Sequence, residues 1–317
     1  MKKILVVQYS QTGQLSDAVA SICRPLKDAD RVEVMIETLE PEKPFPYPWS
    51  FFSFLDVFPE CVALDPPPIK PLSVNSTDEF DLIILAYQVW FLAPSLPITA
   101  FLKSTAAQHL LRDKPVITVI GCRNMWSQAQ ITMQQLLTDC GARLLDNVVL
   151  TDQGSALASF ITTPRWLLTG KKGAFWKFPP AGISQYDIDA ACRFGKAIES
   201  ALAEDLEKGK GPILYGLKAV EADISQIQSE KTGYRSFKVW GKLIRSVGKK
   251  GDASRIPVLT LYLVFLILMI VTVVPLAMIL KKLLVPLMRE KHQRVKAFYE
   301  APSGSGAERM AMFGCKK

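Results

Sequence analysis

The sequence predicts an α/β protein in three layers. A five-stranded parallel sheet is covered by helices on both faces and followed by a segment able to enter a membrane. Three observations carry this. Short apolar runs alternate with stretches whose apolar residues recur at helical spacing, the pattern of parallel strands joined by crossover helices. The first run ends in a hydroxyl- and glycine-bearing loop, Ser10-Gln11-Thr12-Gly13, directly before a helix, an arrangement that suits phosphate. Residues 256–280 are uncharged and apolar over a length that crosses a bilayer.

Lys3 to Gln8 is a short apolar run, expected as a strand buried on both faces. Leu15, Ala18, Val19 and Ile22 follow at helical spacing, and Pro25 is expected to close that helix. Arg31 to Glu37 alternates as a strand does. Leu82 to Ala86 and Val116 to Gly121 are two further buried strands. Between them Ile98, Phe101 and Leu102 mark a helix, with Pro97 suited to its first turn. Ser127 to Cys140 reads as a helix ended by Gly141. Asn147 to Leu150 is the fifth strand, and Ile188, Ala191, Gly195, Ile198 and Leu202 give a last amphipathic helix.

Residues 1–210 thus form one domain carrying two insertions. Residues 41–79 are proline-rich and aromatic, and residues 151–182 hold Trp166, Phe175 and Trp176 among lysines. Both start where a strand ends, which is the ligand edge of a parallel sheet. They are expected either to pack their own aromatics or to wall a greasy substrate. Residues 211–255 lack a strong apolar pattern and are expected to be a basic juxtamembrane linker. Residues 256–288 are the expected transmembrane segment, with Pro275 and Pro286 as sources of a kink; a re-entrant or interfacial helix is the alternative. Residues 289–317 are the expected basic, flexible tail.

The chain of 317 residues carries a formal charge of +8. Nucleic-acid binding is set aside, because the cations crowd the apolar run: eight from Lys231 to Arg255 precede it and six from Lys281 to Lys296 follow. Such flanks suit anionic lipid headgroups. Six scattered cysteines without paired spacing predict reduced thiols, neither a zinc site nor a disulfide framework. With two histidines, His109 and His292, no multi-histidine metal site is expected. The four apolar residues after Met1-Lys2-Lys3 are too few for a signal peptide. The domain is therefore expected in the cytoplasm, on a bacterial inner membrane, held by a single C-terminal anchor.

The loop from Ser10 to Leu15 offers two hydroxyls and several backbone N–H groups at the positive end of a helix. There is no GxxxxGK[ST] and no GxGxxG, which disfavours a P-loop NTPase and a dinucleotide fold. Together with Ala86-Tyr87-Gln88-Val89-Trp90-Phe91-Leu92-Ala93-Pro94, the loop resembles flavodoxin-fold proteins. The resemblance implies the strand order 2-1-3-4-5 and FMN as cofactor. It assigns the phosphate to Ser10, Thr12, Gly13 and Gln14, with Leu15 where many flavodoxins place another hydroxyl. Tyr87, Val89, Trp90 and Phe91 would line one side of the flavin. Gly121, Cys122, Arg123, Asn124 and Trp126 would form the other side.

More narrowly, Tyr9 to Leu15, Cys122 to Trp126 and the apolar run resemble bacterial dialkylresorcinol condensing enzymes. That likeness implies an enzyme of aryl-lipid synthesis working on a lipophilic intermediate, beside a separate ketosynthase as partner. An FMN-dependent reductase of a quinone, and a non-catalytic membrane scaffold for a ketosynthase, are the alternatives. Cys122 and Arg123 are the catalytic candidates. A strand-end thiol beside a cation can act as a nucleophile, and a guanidinium can hold a carboxylate, an enolate or developing flavin charge. As a bland alternative, Cys122 is a small residue packed beneath the cofactor and Arg123 a surface cation.

Overall fold

The computed structural model describes residues 1–273 and 289–315. Part of the expected membrane segment, residues 274–288 with Pro275 and Pro286, lies outside the described residues.

Strand β1 (Lys2–Gln8) is central, and its Ile4 to Val7 are fully buried. It pairs in parallel with β2 (Val32–Thr38) on one side and β3 (Leu82–Trp90) on the other. Beyond β3 come β5 (Pro115–Cys122) and β6 (Arg143–Thr151), again parallel. The sheet has six strands in the order β2-β1-β3-β5-β6, because a two-residue β4 (Ala93–Pro94) pairs antiparallel with the end of β3. The expectation of five strands is corrected on this point. β3 runs past Ala86 to Trp90 and folds back through a two-residue turn. The five parallel strands keep the doubly wound 2-1-3-4-5 order.

Helix α1 (Gln14–Lys27) covers one face with Leu15, Val19, Ile22 and Leu26, each contributing roughly 1.5–3 kcal/mol by burial. Pro25 sits inside its last turn and does not close it. The expected last helix is two, α8 (Gln185–Ala190) and α9 (Cys192–Ala203). Gly195 lets α9 cross α1 closely, since a Cβ there would overlap the Ile22 carbonyl. On the other face lie α4 (Leu96–Leu102), α5 (Thr105–Leu111) and α6 (Ser127–Asp139). The insertions contain short helices α2 (Phe51–Leu55) and α3 (Phe58–Ala63), and a longer α7 (Ala156–Thr169).

The C-terminal third departs most from expectation. Residues 211–223 are no linker. Ile213, Leu214, Leu217, Ala219 and Val220 are buried, and Val149 N on the edge strand donates to Ala219 O at 2.8 Å. This segment covers the free edge of β6, which would otherwise offer unpaired backbone groups. Helix α10 (Ile224–Val247) then packs on α3 and α6. Helix α11 (Ile256–Leu268), continued by a π-helical stretch to Val273, is the apolar segment. The 20-residue helical stretch Ala253–Thr272 is long and apolar enough to cross a membrane.

Residues 289–315 are not a loose tail either. α12 (Arg289–Glu300) leads to a segment in which Lys218 N donates to Gly306 O and Val220 N to Gly304 O. The short α13 (Met310–Phe313) follows. The apolar helix is thus internal to the chain and not C-terminal, as the expected anchor was. Cys192 and Cys315 form a disulfide, with Cα atoms 6.1 Å apart, where only reduced thiols were expected.

Candidate functional site

A cleft of about 160 Å³ opens at the carboxyl ends of β1, β3 and β5. Its floor comes from the loop before α1, its walls from the ends of β3 and β5, and its roof from both insertions. Trp49, Phe54 and Val57 reach it from the first insertion and Thr163, Trp166 and Leu167 from the second. The two insertions meet overhead, where Trp49 N donates to Leu167 O at 2.9 Å. Trp49 stacks edge-on with Trp90 and Phe54 and is almost wholly buried.

At the floor, Gly13 stands at φ 82° and caps α1 without a side-chain bond. Glycine takes this left-handed conformation without steric cost, and a Cβ there would meet nothing within 4 Å. Thr12 lines the cleft. Ser10 Oγ, Trp49 Nε1 and Thr163 Oγ1 are buried without a hydrogen-bond partner among the described residues. Gln14 and Leu15 line the cleft as well. Gln14 clasps residue 183, its Nε2 donating to Ile183 O and its Oε1 accepting from Ile183 N, both at 2.9 Å. Its amide is therefore already committed to the protein. Leu15 is core, with its Cδ1 3.2 Å from where a Gly121 Cβ would stand.

On the β3 side Val89, Trp90 and Phe91 line the cleft. Tyr87 does not: it is fully buried, and its hydroxyl donates to Gln130 Oε1 at 2.7 Å. Phe91 and Leu92 form the β3–β4 turn with φ of 50° and 62°. Bulky residues are strained there. Packing of the Phe91 ring on Phe54, Phe58 and Phe237 opposes that strain.

On the β5 side Gly121, Cys122 and Arg123 line the cleft. Asn124 instead accepts from Arg123 Nε at 3.3 Å, and Trp126 is buried at the start of α6. Burial, reinforced by the Glu230 carboxylate, pushes the Cys122 thiol well up, against the pull of Arg123. It is therefore a thiol and not a nucleophilic thiolate at neutral pH. Arg123 is held below its ordinary value by burial. Its guanidinium lies 4.0 Å from the centre of the Phe160 ring and forms no ion pair among the described residues. Asp152, at the end of β6, also lines the cleft, but its carboxylate accepts from Gly154 N and Gly182 N. His109 lies on α5 and His292 on α12, away from these lining residues. Among the described residues no His, Cys, Asp and Glu group could hold a metal.

Sequence reading named Trp166 in a possible wall but missed Thr163 and Leu167, which join it in the roof. Their i, i+3, i+4 spacing places them on one face of α7, a signal hidden while the segment was read as an insertion.

No family model matches the sequence, and no curated protein matches it. Solved structures do. A flavoprotein from Lactobacillus acidophilus in complex with FMN is 16% identical, over 47% of this chain and 93% of that one, with a TM-score of 0.38. The flavodoxin of Fusobacterium nucleatum bound to flavin mononucleotide is 12% identical, over 64% and 99%, with a TM-score of 0.31. Oxidised flavodoxin 1 from Bacillus cereus is 14% identical, over 47% and 86%, with a TM-score of 0.30. The parallel sheet and its strand order define the class of this protein as doubly wound α/β; these likenesses add nothing to that.

Proposed function

We propose that this chain is a membrane-bound FMN protein exchanging electrons with a lipophilic acceptor such as a quinone. One observation carries the reading: the cleft wall continues into the base of the apolar helix. Phe91 lines the cleft and also packs in the cluster of Phe58, Ile244, Leu259 and Tyr262 that seats α11. A ligand in the cleft is thereby close to where the chain turns apolar.

The residues present fit FMN. The hydroxyl of Ser10 lacks a partner beside an uncapped helix start, which suits a phosphate. Trp90 and Phe91 offer ring faces, and Trp49 Nε1 and Thr163 Oγ1 are free to bond a polar ring edge. FMN would supply hydride or single-electron transfer. The chain's own part is to hold the phosphate with Ser10, Thr12 and the N–H groups of the loop. The aromatic roof keeps water out, and the Arg123 cation is set beside developing negative charge. Two of the structures above, from Lactobacillus acidophilus and Fusobacterium nucleatum, hold FMN. The basic flanks favour a domain on the cytoplasmic face of a bacterial inner membrane.

The aryl-lipid condensation implied by the narrower resemblance finds no support in the cleft, which holds no histidine base for Cys122. The test is direct. The protein purified in detergent and supplied with FMN is expected to show a bound-flavin spectrum. Thr12→Glu, which places a carboxylate against the phosphate position, is expected to abolish it with the far-UV circular dichroism unchanged. A wild type that never binds flavin under calorimetry removes the cofactor and the electron-transfer reading with it.

A further inference from the structure

We infer that residues 289–315 lie on the same side of the membrane as the sheet, the side from which the apolar helix enters. The inference rests on the membrane reading above and deepens it.

The chain leaves the domain at a fixed point. Arg255 is buried immediately before Ile256. Its guanidinium donates to Asp56 Oδ1 at 2.9 Å and Glu60 Oε1 at 2.7 Å, and its Nε to Gly248 O at 2.9 Å. The partners are on and beside the short helices of the first insertion, so the base of α11 is clamped to the cleft's roof.

The chain is back on the same domain soon after. Tyr299, Glu300 and Ser303 are buried. Glu300 Oε1 accepts from Ala222 N at 3.0 Å. Ser303 Oγ donates to Asp146 Oδ1 and accepts from Asn147 N, both at 2.7 Å. Arg309 Nη1 donates to Ile213 O at 3.0 Å. These are contacts to the strand edge and its cover, so a single crossing, which puts the two flanks on opposite sides, is incompatible with them. Two full crossings need about 40 residues, and thirty-three separate Arg255 from Arg289. The two described flanks of the apolar segment therefore lie on one side.

The surface beside the entry point fits a lipid headgroup layer. On α10 Val239, Leu243 and Val247 are exposed at four-residue spacing, with exposed Arg235, Lys238 and Lys242 along the same side. The stripe runs on to exposed Ile256, Leu261 and Val264 of α11. An apolar stripe edged with cations and continuous with an inserted helix is the pattern of a helix lying in the interface of an anionic leaflet.

The experiment uses the full chain with single cysteines introduced on either side of the segment, Ala253→Cys and Ala307→Cys, both at exposed positions, in a background lacking Cys192 and Cys315. Labelling by a membrane-impermeant maleimide is compared in right-side-out and inverted vesicles. Both sites are expected to label in the same vesicle orientation, at least ten-fold over the other. Labelling in opposite orientations overturns the inference and leaves an ordinary crossing. A protein released from membranes by alkaline carbonate overturns the membrane reading itself. Since the background variant removes a disulfide, a second measurement uses the intact chain. A fluorescent protein fused after Lys317 is expected to be bright, and an export-dependent phosphatase fused there inactive; the reverse pair overturns the inference.

Discussion

Two buried polar clusters lie at different places on the same sheet, and they differ in one respect. At the β6 edge the Asp146 carboxylate is fully buried and accepts from Ile213 N at 2.7 Å, Leu214 N at 3.3 Å and Ser303 Oγ at 2.7 Å. At the ligand edge Ser10 Oγ, Trp49 Nε1 and Thr163 Oγ1 have no partner among the described residues. Buried polar groups are ordinarily bonded, and one left open calls for an explanation. The first cluster is complete because its task is to join distant segments. In the reading proposed above, the partners of the second belong to a ligand.

The largest effect that tests this contrast falls on the complete cluster. Asp146→Ala strands two backbone donors and a hydroxyl, each costing about 1–3 kcal/mol when unsatisfied. A loss of about 3 kcal/mol is expected in urea unfolding, together with faster proteolysis after Tyr299. Next in size is the roof. Replacing Trp49, Phe54 and Trp166 by polar residues is expected to weaken long-chain ligands far more than short ones, by roughly 0.8 kcal/mol per methylene lost from apolar cover. Binding or turnover across a chain-length series in wild type and variant measures this. Equal dependence on chain length in both would assign the aromatics to local packing alone. Phe52 has no place in that variant, being exposed on α2.

Smaller still is Ser10→Ala. Removing an unbonded hydroxyl is expected to leave stability within about 0.5 kcal/mol and to weaken FMN by about ten-fold, one hydrogen bond's worth. Were Ser10→Ala as destabilising as Asp146→Ala, the difference between the two clusters would not hold.

The same contrast explains what could be read beforehand. The strands and helices of residues 1–150 announce themselves because each is a periodic run whose burial follows from its own sequence. Ile4 to Val7 and the Leu15, Val19, Ile22 face of α1 are of this kind. Ser10, Thr12 and Gly13 were legible for a similar reason, since a loop between a strand and a helix is a local motif. The clasp of Gln14 on Ile183 was not legible, because the two are 169 residues apart. Tyr87 was misread because its partner, Gln130, lies on α6, 43 residues away. Residues 211–223 carry six buried apolar residues without periodicity, since a segment laid along one strand edge alternates with nothing. Its bonds to Gly304 and Gly306 join stretches that the apolar helix separates in sequence. Long-range closure of this kind leaves no mark on any window of the chain.

A third buried group lies between the two extremes and gives the smallest effect. Glu230 is buried on α10, yet its carboxylate accepts from Ser127 Oγ at 2.7 Å and Gln128 N at 3.2 Å, capping α6 from another helix. Trp126, the residue in the capping position, supplies no such bond. Burial pushes this carboxyl up to about 7, although its hydrogen bonds pull the other way. The folded protein therefore holds the proton more tightly than the unfolded chain, whose carboxyl titrates near 4.5. Stability then falls as pH rises from about 4.5 to about 7 and is level above that. Asp146, pushed up to about 6 chiefly by burial, acts in the same direction but is spent by pH 6. The interval from pH 6 to 7 thus belongs to Glu230. Glu230→Gln keeps an oxygen to cap α6 and removes the titration. Its urea midpoint is expected to be flat between pH 6 and 7.5 while still falling from pH 5 to 6. A variant that keeps the wild-type slope above pH 6 would show that another group titrates there, and that Glu230 is a bonded acid of the Asp146 kind.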